Sequence, residues 1–141
     1  MLIGEYQHSV DEKGRVALPS KFRKSLTDGV VVTKGLEPCL HLYPVEEWTR
    51  FAEKLTKLPS NKIDVVRLML SQATHCDIDS QGRILIPASL LQKVSIKGKA
   101  TLVGLYTRGE IWNDEAWNEY RQRIEDNSEN ISKDLGELNL L

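Results

Sequence analysis

Two short stretches of the sequence place an arginine directly after an Asp-x-x-Gly turn. The first runs from Asp11 to Arg15 and the second from Asp79 to Arg83. A guanidinium group stays charged and offers parallel N–H donors, so it suits a phosphate group or the edge of a guanine base. Each arginine could instead pair with the aspartate of its own turn. The residues alone therefore leave an anion-binding turn and a structural ion pair both open.

Basic residues are distributed unequally around the two turns. The first turn is accompanied by Lys13, Lys21, Arg23 and Lys24. The equivalent positions around the second turn hold Gln81, Ser89, Leu91 and Gln92. If either repeat faces a polyanion, we therefore predict that it is the first. Arg83 would be a lesser contact or an ion-pair partner of Asp79.

The turns belong to a unit that the chain contains twice. At an offset of 68 residues, Asp11, Gly14, Arg15 and Pro19 recur as Asp79, Gly82, Arg83 and Pro87. At an offset of 69 residues, Gly29, Gly35, Leu36 and Trp48 recur as Gly98, Gly104, Leu105 and Trp117. A unit of about forty-five residues is too small to bury a large core alone. We expect the two copies to pack together as one pseudo-symmetric body, and copies of the chain to associate.

Each copy predicts the same order of elements: strand, turn, strand, short helix, two strands and a long helix. Apolar alternation predicts a first strand up to Val10, and the glycine of each motif supplies the positive φ of a tight turn. Pro19 and Pro44 suit the first turn of a helix. Trp48 and Trp117 lie among helically spaced apolar residues, so we interpret them as core residues and not as platforms for base stacking.

The segments outside the repeats are predicted to be helical or loose. A connector helix is expected from Lys62 to about Gln72, with Ile63, Val66, Met69 and Leu70 on one face. The second long helix should start after Asn113 or Asp114 and turn Trp117, Tyr120 and Ile124 inward. Beyond Asp126 the composition becomes polar, so Asn127 to Leu141 is predicted to be a loose tail with a weakly apolar end.

The charge is unevenly distributed along the chain. The net charge is -1, but residues 1–113 balance at +4 and residues 114–141 at -5. A mildly basic body with an acidic tail is compatible with a local DNA-binding face, because polyanion binding needs a basic patch and not a basic total. We expect the tail to keep the remaining surface from binding DNA indiscriminately.

Several other classes of protein are disfavoured. No apolar run reaches the length of a membrane span and no secretion signal is evident, so a cytosolic location is expected. Cys39 and Cys76 are interpreted as reduced, partly buried thiols. The histidines and their neighbours in sequence are His8, His41 and His75 with Cys39, Cys76, Asp77 and Asp79. None has the ligand spacing of a zinc motif, so we expect no metal, no cofactor and no catalytic residue.

The doubled Asp-x-x-Gly-Arg motif, followed by an apolar triplet and proline, resembles the SpoVT/AbrB-type DNA-binding domain. The chain as a whole resembles the MraZ family, through its length, its opening residues 1–11 and the segment Ala73-Thr74-His75-Cys76. The resemblance covers about residues 1–125. It divides the chain into a first repeat (5–47), a helical connector (48–75), a second repeat (76–119), and the end of the C-terminal helix with the acidic tail (120–141).

The resemblance implies an α+β fold in which the two repeats form a pseudo-symmetric, β-barrel-like core with flanking helices. It implies a nucleoid-associated transcriptional regulator, usually a repressor of the division and cell-wall gene cluster that includes its own gene. Ring-shaped homo-oligomers would bind regularly spaced promoter repeats in double-stranded DNA, with no small-molecule substrate and no membrane. The contact residues would be Asp11, Lys13, Gly14, Arg15, Asp79, Gly82 and Arg83, with Lys21, Arg23 and Lys24 beside them.

Two other functions stay open. An antitoxin-like module of the same fold superfamily would bind a protein toxin as well as DNA. Such modules normally carry one copy of the motif and a long disordered arm, whereas this chain has two copies and a short arm. An enzyme ranks third, because no set of residues completes a mechanism.

Overall fold

The computed structural model describes residues 1–140, which form eight β-strands and six α-helices. The first repeat contains β1 (Leu2–Ser9), β2 (Arg15–Ala17), α1 (Ser20–Arg23), β3 (Val30–Lys34), β4 (Cys39–Pro44) and α2 (Val45–Thr56). A 3₁₀ turn (Ser60–Lys62) and α3 (Ile63–Ser71) follow, within the segment 48–75 predicted to be the connector. The second repeat contains β5 (Thr74–Cys76), β6 (Arg83–Leu85), α4 (Ala88–Lys93), β7 (Lys99–Tyr106), β8 (Gly109–Asn113) and α5 (Asp114–Asp126). A last helix, α6, spans Ser128–Glu137.

The two repeats exchange their first strands. The large sheet has the order β1-β7-β8-β4-β3-β5, so β1 of the first repeat pairs with β7 of the second, and β5 of the second pairs with β3 of the first. The strands β2 and β6 pair with each other in a separate two-stranded ribbon. Every pairing is antiparallel. Neither repeat therefore completes a sheet without the other.

A pseudo-twofold axis relates the repeats and passes through two residue pairs. In the large sheet His41 of β4 lies opposite Glu110 of β8, and the two occupy equivalent positions of the repeat. In the ribbon Val16 lies opposite Ile84, which are again equivalent positions. The axis therefore places residues that are distant in sequence directly against each other.

One apolar cluster joins the large sheet, the ribbon and the short helices α1 and α4. Val16 and Ile84 face inward from the ribbon and are almost completely buried. The same cluster contains Leu2, Leu18, Phe22, Ile86, Leu90, Leu102 and Ile111, among others. Burial of apolar surface stabilises a fold by about 25 cal/mol per Å². Packing in this shared core therefore holds the ribbon on the sheet.

The structure confirms the α+β class, the tandem organisation and the predicted order of elements. Closure into a barrel is not shown, because within residues 1–140 β1 and β5 remain the two edges of an open sheet. Trp48 packs against Tyr43 and Phe51, and Trp117 packs against Trp112, as expected of residues that hold the long helices on the sheet.

Two expectations about the C-terminal part are wrong. The segment predicted to be a loose tail forms α6, which no buried residue anchors; Leu141 lies outside the described residues. Ile124 was predicted to face inward but is 38% exposed, and all of residues 121–126 at the end of α5 are exposed. In the connector, Val66, Met69 and Leu70 are half-buried as predicted, whereas Ile63 is exposed.

None of the helices within residues 1–140 has the length and apolarity needed to cross a membrane.

Candidate nucleic-acid interface

The first motif folds into a turn that its own aspartate holds closed. The backbone N–H of Gly14 donates to the carbonyl of Asp11 at 3.0 Å. One carboxylate oxygen of Asp11 accepts the backbone N–H groups of Lys13 and Arg15, at 3.0 and 2.9 Å. Gly14 has φ +90°, and a Cβ at this position would lie 2.6 Å from the carbonyl oxygen of Ile86. Only glycine fits here without a shift of the backbone.

The second motif repeats this geometry closely. Gly82 donates to the carbonyl of Asp79 at 2.9 Å, and the Asp79 carboxylate accepts the backbone N–H groups of Gln81 and Arg83, both at 2.9 Å. The pKa of Asp79 is lowered, above all by the backbone N–H of Arg83 and further by its side chain. The pKa of Asp11 is lowered in the same way by Arg15.

Both arginines pair with the aspartate of their own turn through one nitrogen only. Arg15 Nε donates to Asp11 Oδ2 at 2.6 Å, and Arg83 Nε donates to Asp79 Oδ2 at 3.0 Å. The Nη groups of both side chains make no hydrogen bond to any residue within 1–140. The two interpretations left open by the sequence are therefore compatible: the ion pair orients the guanidinium, and its remaining N–H donors are available to an anion.

The β2–β6 ribbon brings the two turns together. The carbonyl of Gly14 accepts the N–H of Ile86, and the carbonyl of Gly82 accepts the N–H of Leu18, both at 2.9 Å. Each turn is therefore tied to the strand of the other repeat. Within residues 1–140 these two bonds continue the three-residue ladder at either end.

Arg15 and Arg83 lie on the same outward face of this ribbon. Arg15 is opposite Leu85 and Arg83 is opposite Ala17, so the arginines are diagonal neighbours about 7–8 Å apart at their Cα atoms. Their side chains are 36% and 30% exposed, whereas the alternate ribbon residues are buried in the core. We name this face, with its two turns, the arginine ribbon.

Arg23 lies at the second turn and not at the first. Its guanidinium lies over Gly82, in the space that a Cβ there would need, and its Nε donates to the carbonyl of Leu18 at 3.1 Å. The equivalent residue over Gly14 is Leu91. The prediction that Arg23 accompanies Arg15 is therefore wrong, because the helix of each repeat packs beside the turn of the other. The two turns consequently carry more equal charge than the sequence indicated.

Three further lysines complete the basic surroundings. Lys21 and Lys24 are exposed on and directly after α1. Lys97, which the sequence analysis missed, lines a groove beside the first turn together with Lys13 and Gln92. Its position follows from the hydrogen bond between Val10 N–H and the carbonyl of Gly98, a contact that no local sequence pattern indicates.

The histidines lie in three different environments. His8 is partly buried near Arg23; burial, and then that positive charge, lower the pKa of its imidazole. His75 contacts the carbonyl of Asp28 at 3.1 Å and lies far in sequence from its partner. His41 is buried beside Cys39 and Glu110. Burial and the neighbouring carboxylates raise the pKa of the Cys39 thiol to about 12, so this thiol is not an activated nucleophile. Cys76 is also a buried free thiol, as expected.

The sequence profile of the family described as "MraZ protein, putative antitoxin-like" matches residues 1–67 and again residues 69–138. The chain belongs to the MraZ family. The two MraZ matches begin 68 residues apart, which is the offset that relates the two turns.

Similar proteins are named as regulators. A "Transcriptional regulator MraZ" of Thermoanaerobacter pseudethanolicus is 46% identical over 143 residues, covering 99% of this chain and the whole of the relative. The protein of the same name from Pediococcus pentosaceus is 45% identical over 138 residues, with 96% of each chain covered. That of Natranaerobius thermophilus is 41% identical over 138 residues, again with 96% of each covered. The name describes a regulatory role and not an enzyme.

Proposed function

We propose that this protein is a transcriptional regulator that binds double-stranded DNA through the arginine ribbon. The observation that carries the proposal is the pairing of Arg15 and Arg83 on one exposed face, each oriented by its aspartate and each with free Nη groups. Rigidly held guanidinium groups suit phosphate or guanine recognition, because little side-chain entropy is lost on binding. The relatives named as transcriptional regulators support the same function.

The basic side chains near the ribbon define the electrostatic part of the contact. The ribbon and its borders carry Arg15, Arg83, Lys13, Lys97, Lys21, Lys24 and Arg23. If about four of these side chains meet phosphates, the logarithm of the affinity falls with the logarithm of salt concentration with a slope of about -4 per protomer. One protomer binds weakly at physiological salt, so we propose that several protomers act together.

Assembly into a ring of identical subunits would provide this multivalency. The strand β1 is eight residues long and forms an unpaired edge of the large sheet among the described residues. Apolar side chains near this edge are exposed: Ile3 by 52%, Leu105 by 43% and Tyr106 by 63%. Such an edge is prone to contact another copy of the chain. A ring would present repeated arginine ribbons to spaced promoter repeats and raise the effective concentration of each.

We further propose that the protein represses the division and cell-wall gene cluster that includes its own gene, and that it works on the nucleoid in the cytoplasm. The test is fluorescence anisotropy with labelled DNA from directly upstream of its gene and a shuffled duplex of equal composition, at two salt concentrations. Tighter binding to the native duplex at both concentrations is expected. Equal binding to both duplexes, or no binding at moderate salt, would overturn the proposal.

A second candidate function is an antitoxin-like role with a protein partner. The observation that favours it is α6, which contains no buried residue and, with the residues after it, presents the exposed side chains of Ile131, Leu138 and Leu140. A helix with exposed apolar residues can lie in a groove of a partner protein. Under this alternative, the product of a gene adjacent to its own would copurify with the full chain but not with a chain ending at Asp126. Copurification with neither chain would exclude it.

A further inference from the structure

A second cluster of polar side chains lies on the pseudo-twofold axis, away from the arginine ribbon. The first repeat contributes Glu37, Cys39 and His41 from β4 and the loop before it, and the second repeat contributes Glu110 from β8. One oxygen, sulfur or nitrogen atom of each lies within 4.8 Å of those of the other three. Cys39 is completely buried, His41 and Glu110 are each 8% exposed, and Glu37 is exposed.

The imidazole of His41 has one nitrogen without a partner. Its Nδ1 contacts the Tyr43 hydroxyl at 3.3 Å. Its Nε2 lies 3.5 Å from Glu110 Oε2 but makes no hydrogen bond with any residue within 1–140. A buried polar nitrogen without a partner is unfavourable, because it has lost its hydrogen bond to water. Gly35 packs against this edge of the ring, and a larger residue would not fit there, since its Cβ would lie 2.5 Å from Nε2.

Surrounding groups orient the cluster. Trp112 Nε1 donates to Glu110 Oε1 at 3.1 Å, which leaves Glu110 Oε2 directed toward His41. Lys34 Nζ donates to the carbonyls of Gly35 and Glu37, at 2.6 and 2.8 Å, and so fixes the loop that carries Glu37. Hydrogen-bonded supports of this kind are typical of metal ligands, whose orientation they determine.

The charges near the cluster also suit a bound divalent cation. Glu37, Glu110 and a Cys39 thiolate would supply three negative charges around a divalent ion, which leaves one negative charge in excess. Two cations offset it: Arg108 Nη2 lies 3.7 Å from Glu110 Oε2, and Lys34 Nζ lies against the loop that carries Glu37. A cleft lined by Glu37, His41, Tyr43 and Arg108 connects the cluster to solvent and offers an entry path.

We propose that Cys39, His41, Glu110 and Glu37 form a structural Zn²⁺ site that joins the two repeats. One thiolate, one imidazole and two carboxylates are ligands that zinc accepts in tetrahedral geometry. With zinc bonds of about 2.0–2.3 Å, the ligand atoms would be about 3.3–3.7 Å apart, so the side chains must close by about 1 Å. Four protein ligands leave no open position, so the ion would stabilise the fold and would not catalyse a reaction.

The experiment is a titration of the full-length protein, freed of metal by dialysis against a chelator, with Co²⁺ and then Zn²⁺. The site predicts one Co²⁺ per chain, the absorption bands of tetrahedral cobalt, and a thiolate-to-cobalt charge-transfer band. Zn²⁺ should displace the cobalt and raise the unfolding midpoint. Substoichiometric binding, or binding without the charge-transfer band, would overturn the proposal.

Single substitutions test which side chains bind the ion. Cys39→Ser should abolish the charge-transfer band, and Glu37→Gln should weaken binding at least tenfold while keeping the band. Glu37 is exposed, so this second variant tests the site even if Cys39→Ser does not fold. Cys76→Ser is the matched control, because Cys76 is also a buried free thiol but lies outside the cluster, and it should leave both band and affinity unchanged. Equal cobalt affinity in Glu37→Gln and the control would overturn the proposed ligand set.

Discussion

At the scale of single residues, each turn depends on an aspartate that satisfies the turn and orients the arginine at the same time. Asp11 accepts two backbone N–H groups through one oxygen and the Arg15 side chain through the other. A substitution of the aspartate therefore disturbs the turn as well as the arginine. A substitution of the arginine leaves the backbone hydrogen bonds in place. Arginine variants are for this reason the cleaner probes of binding.

The backbone of the first turn predicts a large difference between two glycine substitutions. Gly14→Ala should lower the free energy of unfolding by about 2–4 kcal/mol, because it combines a strained positive φ with a clash against a carbonyl oxygen. Gly98→Ala is the matched control: its φ is +80° but no atom lies within 4 Å of the added Cβ. It should cost about 1 kcal/mol. Chemical denaturation measures both, and equal losses would contradict the role of the close approach.

The hydrogen bonds to Asp11 predict an unusually acidic carboxyl group. The pKa of Asp11 lies below its ordinary 3.8, first because the backbone N–H of Arg15 donates to it. Since the folded-state pKa is lowered, this contribution to stability is present above pH 3.8 and is lost as the pH falls through the lower folded value. A carbon-13 NMR titration measures the pKa of the Asp11 carboxyl group, which should lie below 3.8. In Arg15→Ala this pKa should rise only part of the way toward 3.8, because the backbone N–H donor remains. A pKa at or above 3.8 in the unchanged protein would contradict the account.

The residue types and their spacing predicted the two turns of the site but not the contacts between the repeats. The spacing of aspartate, glycine and arginine identified both turns, because this chemistry is local. It could not indicate that Arg23 lies over Gly82, or that Cys39 and His41 meet Glu110. Those contacts join different repeats, about sixty to seventy residues apart in sequence. Periodicity and spacing within one segment carry no information about such partners.

At the scale of secondary-structure elements, the exchange of first strands is the feature that could not be predicted from the sequence. The repeat made β1 and β5 recognisable as equivalent strands, but equivalent strands could pair within their own repeat or across to the other. The antiparallel pairing of β2 with β6, which also crosses between the repeats, is what places α1 beside the second turn and α4 beside the first. The distribution of basic residues is therefore a property of the fold and not of the motif.

Removal of α6 should change the affinity for DNA without changing the stability of the fold. Ending the chain at Asp126 removes a segment with no buried residue in its helix and a net charge of -2, so the free energy of unfolding should change by less than about 0.5 kcal/mol. Affinity for non-specific DNA should rise, because negative charge that repels the polyanion is lost. Anisotropy with a shuffled duplex at low salt measures the affinity. An unchanged value would contradict a screening role for the segment.

At the scale of the whole molecule, the two repeats are one folding unit. Each supplies a strand to the sheet of the other, and one core spans both repeats and the ribbon. A polypeptide of residues 1–72 should therefore not fold as a monomer. It should be either unfolded or a dimer in which two copies replace the two repeats. Light scattering with thermal denaturation tests this, and a monomer with cooperative unfolding would contradict the exchanged topology.

The central claim is that the arginine ribbon is the DNA-binding surface, and the most direct test compares arginine variants that keep the fold. Arg15→Ala and Arg83→Ala alter the ribbon, whereas Arg67→Ala is the control because Arg67 is an exposed, ion-paired arginine on α3. Unfolding midpoint and oligomer size should match those of the unchanged protein in all three. Anisotropy is then measured with the native upstream duplex and with its shuffled counterpart.

Each ribbon variant should lose about 1–3 kcal/mol of affinity for the native duplex if its arginine reaches a base, with a smaller loss for the shuffled duplex. A phosphate contact would instead weaken both duplexes alike and reduce the salt slope by about 1. The control should bind like the unchanged protein. A double variant Arg15→Ala/Arg83→Ala that still binds the native duplex with undiminished affinity would contradict the account.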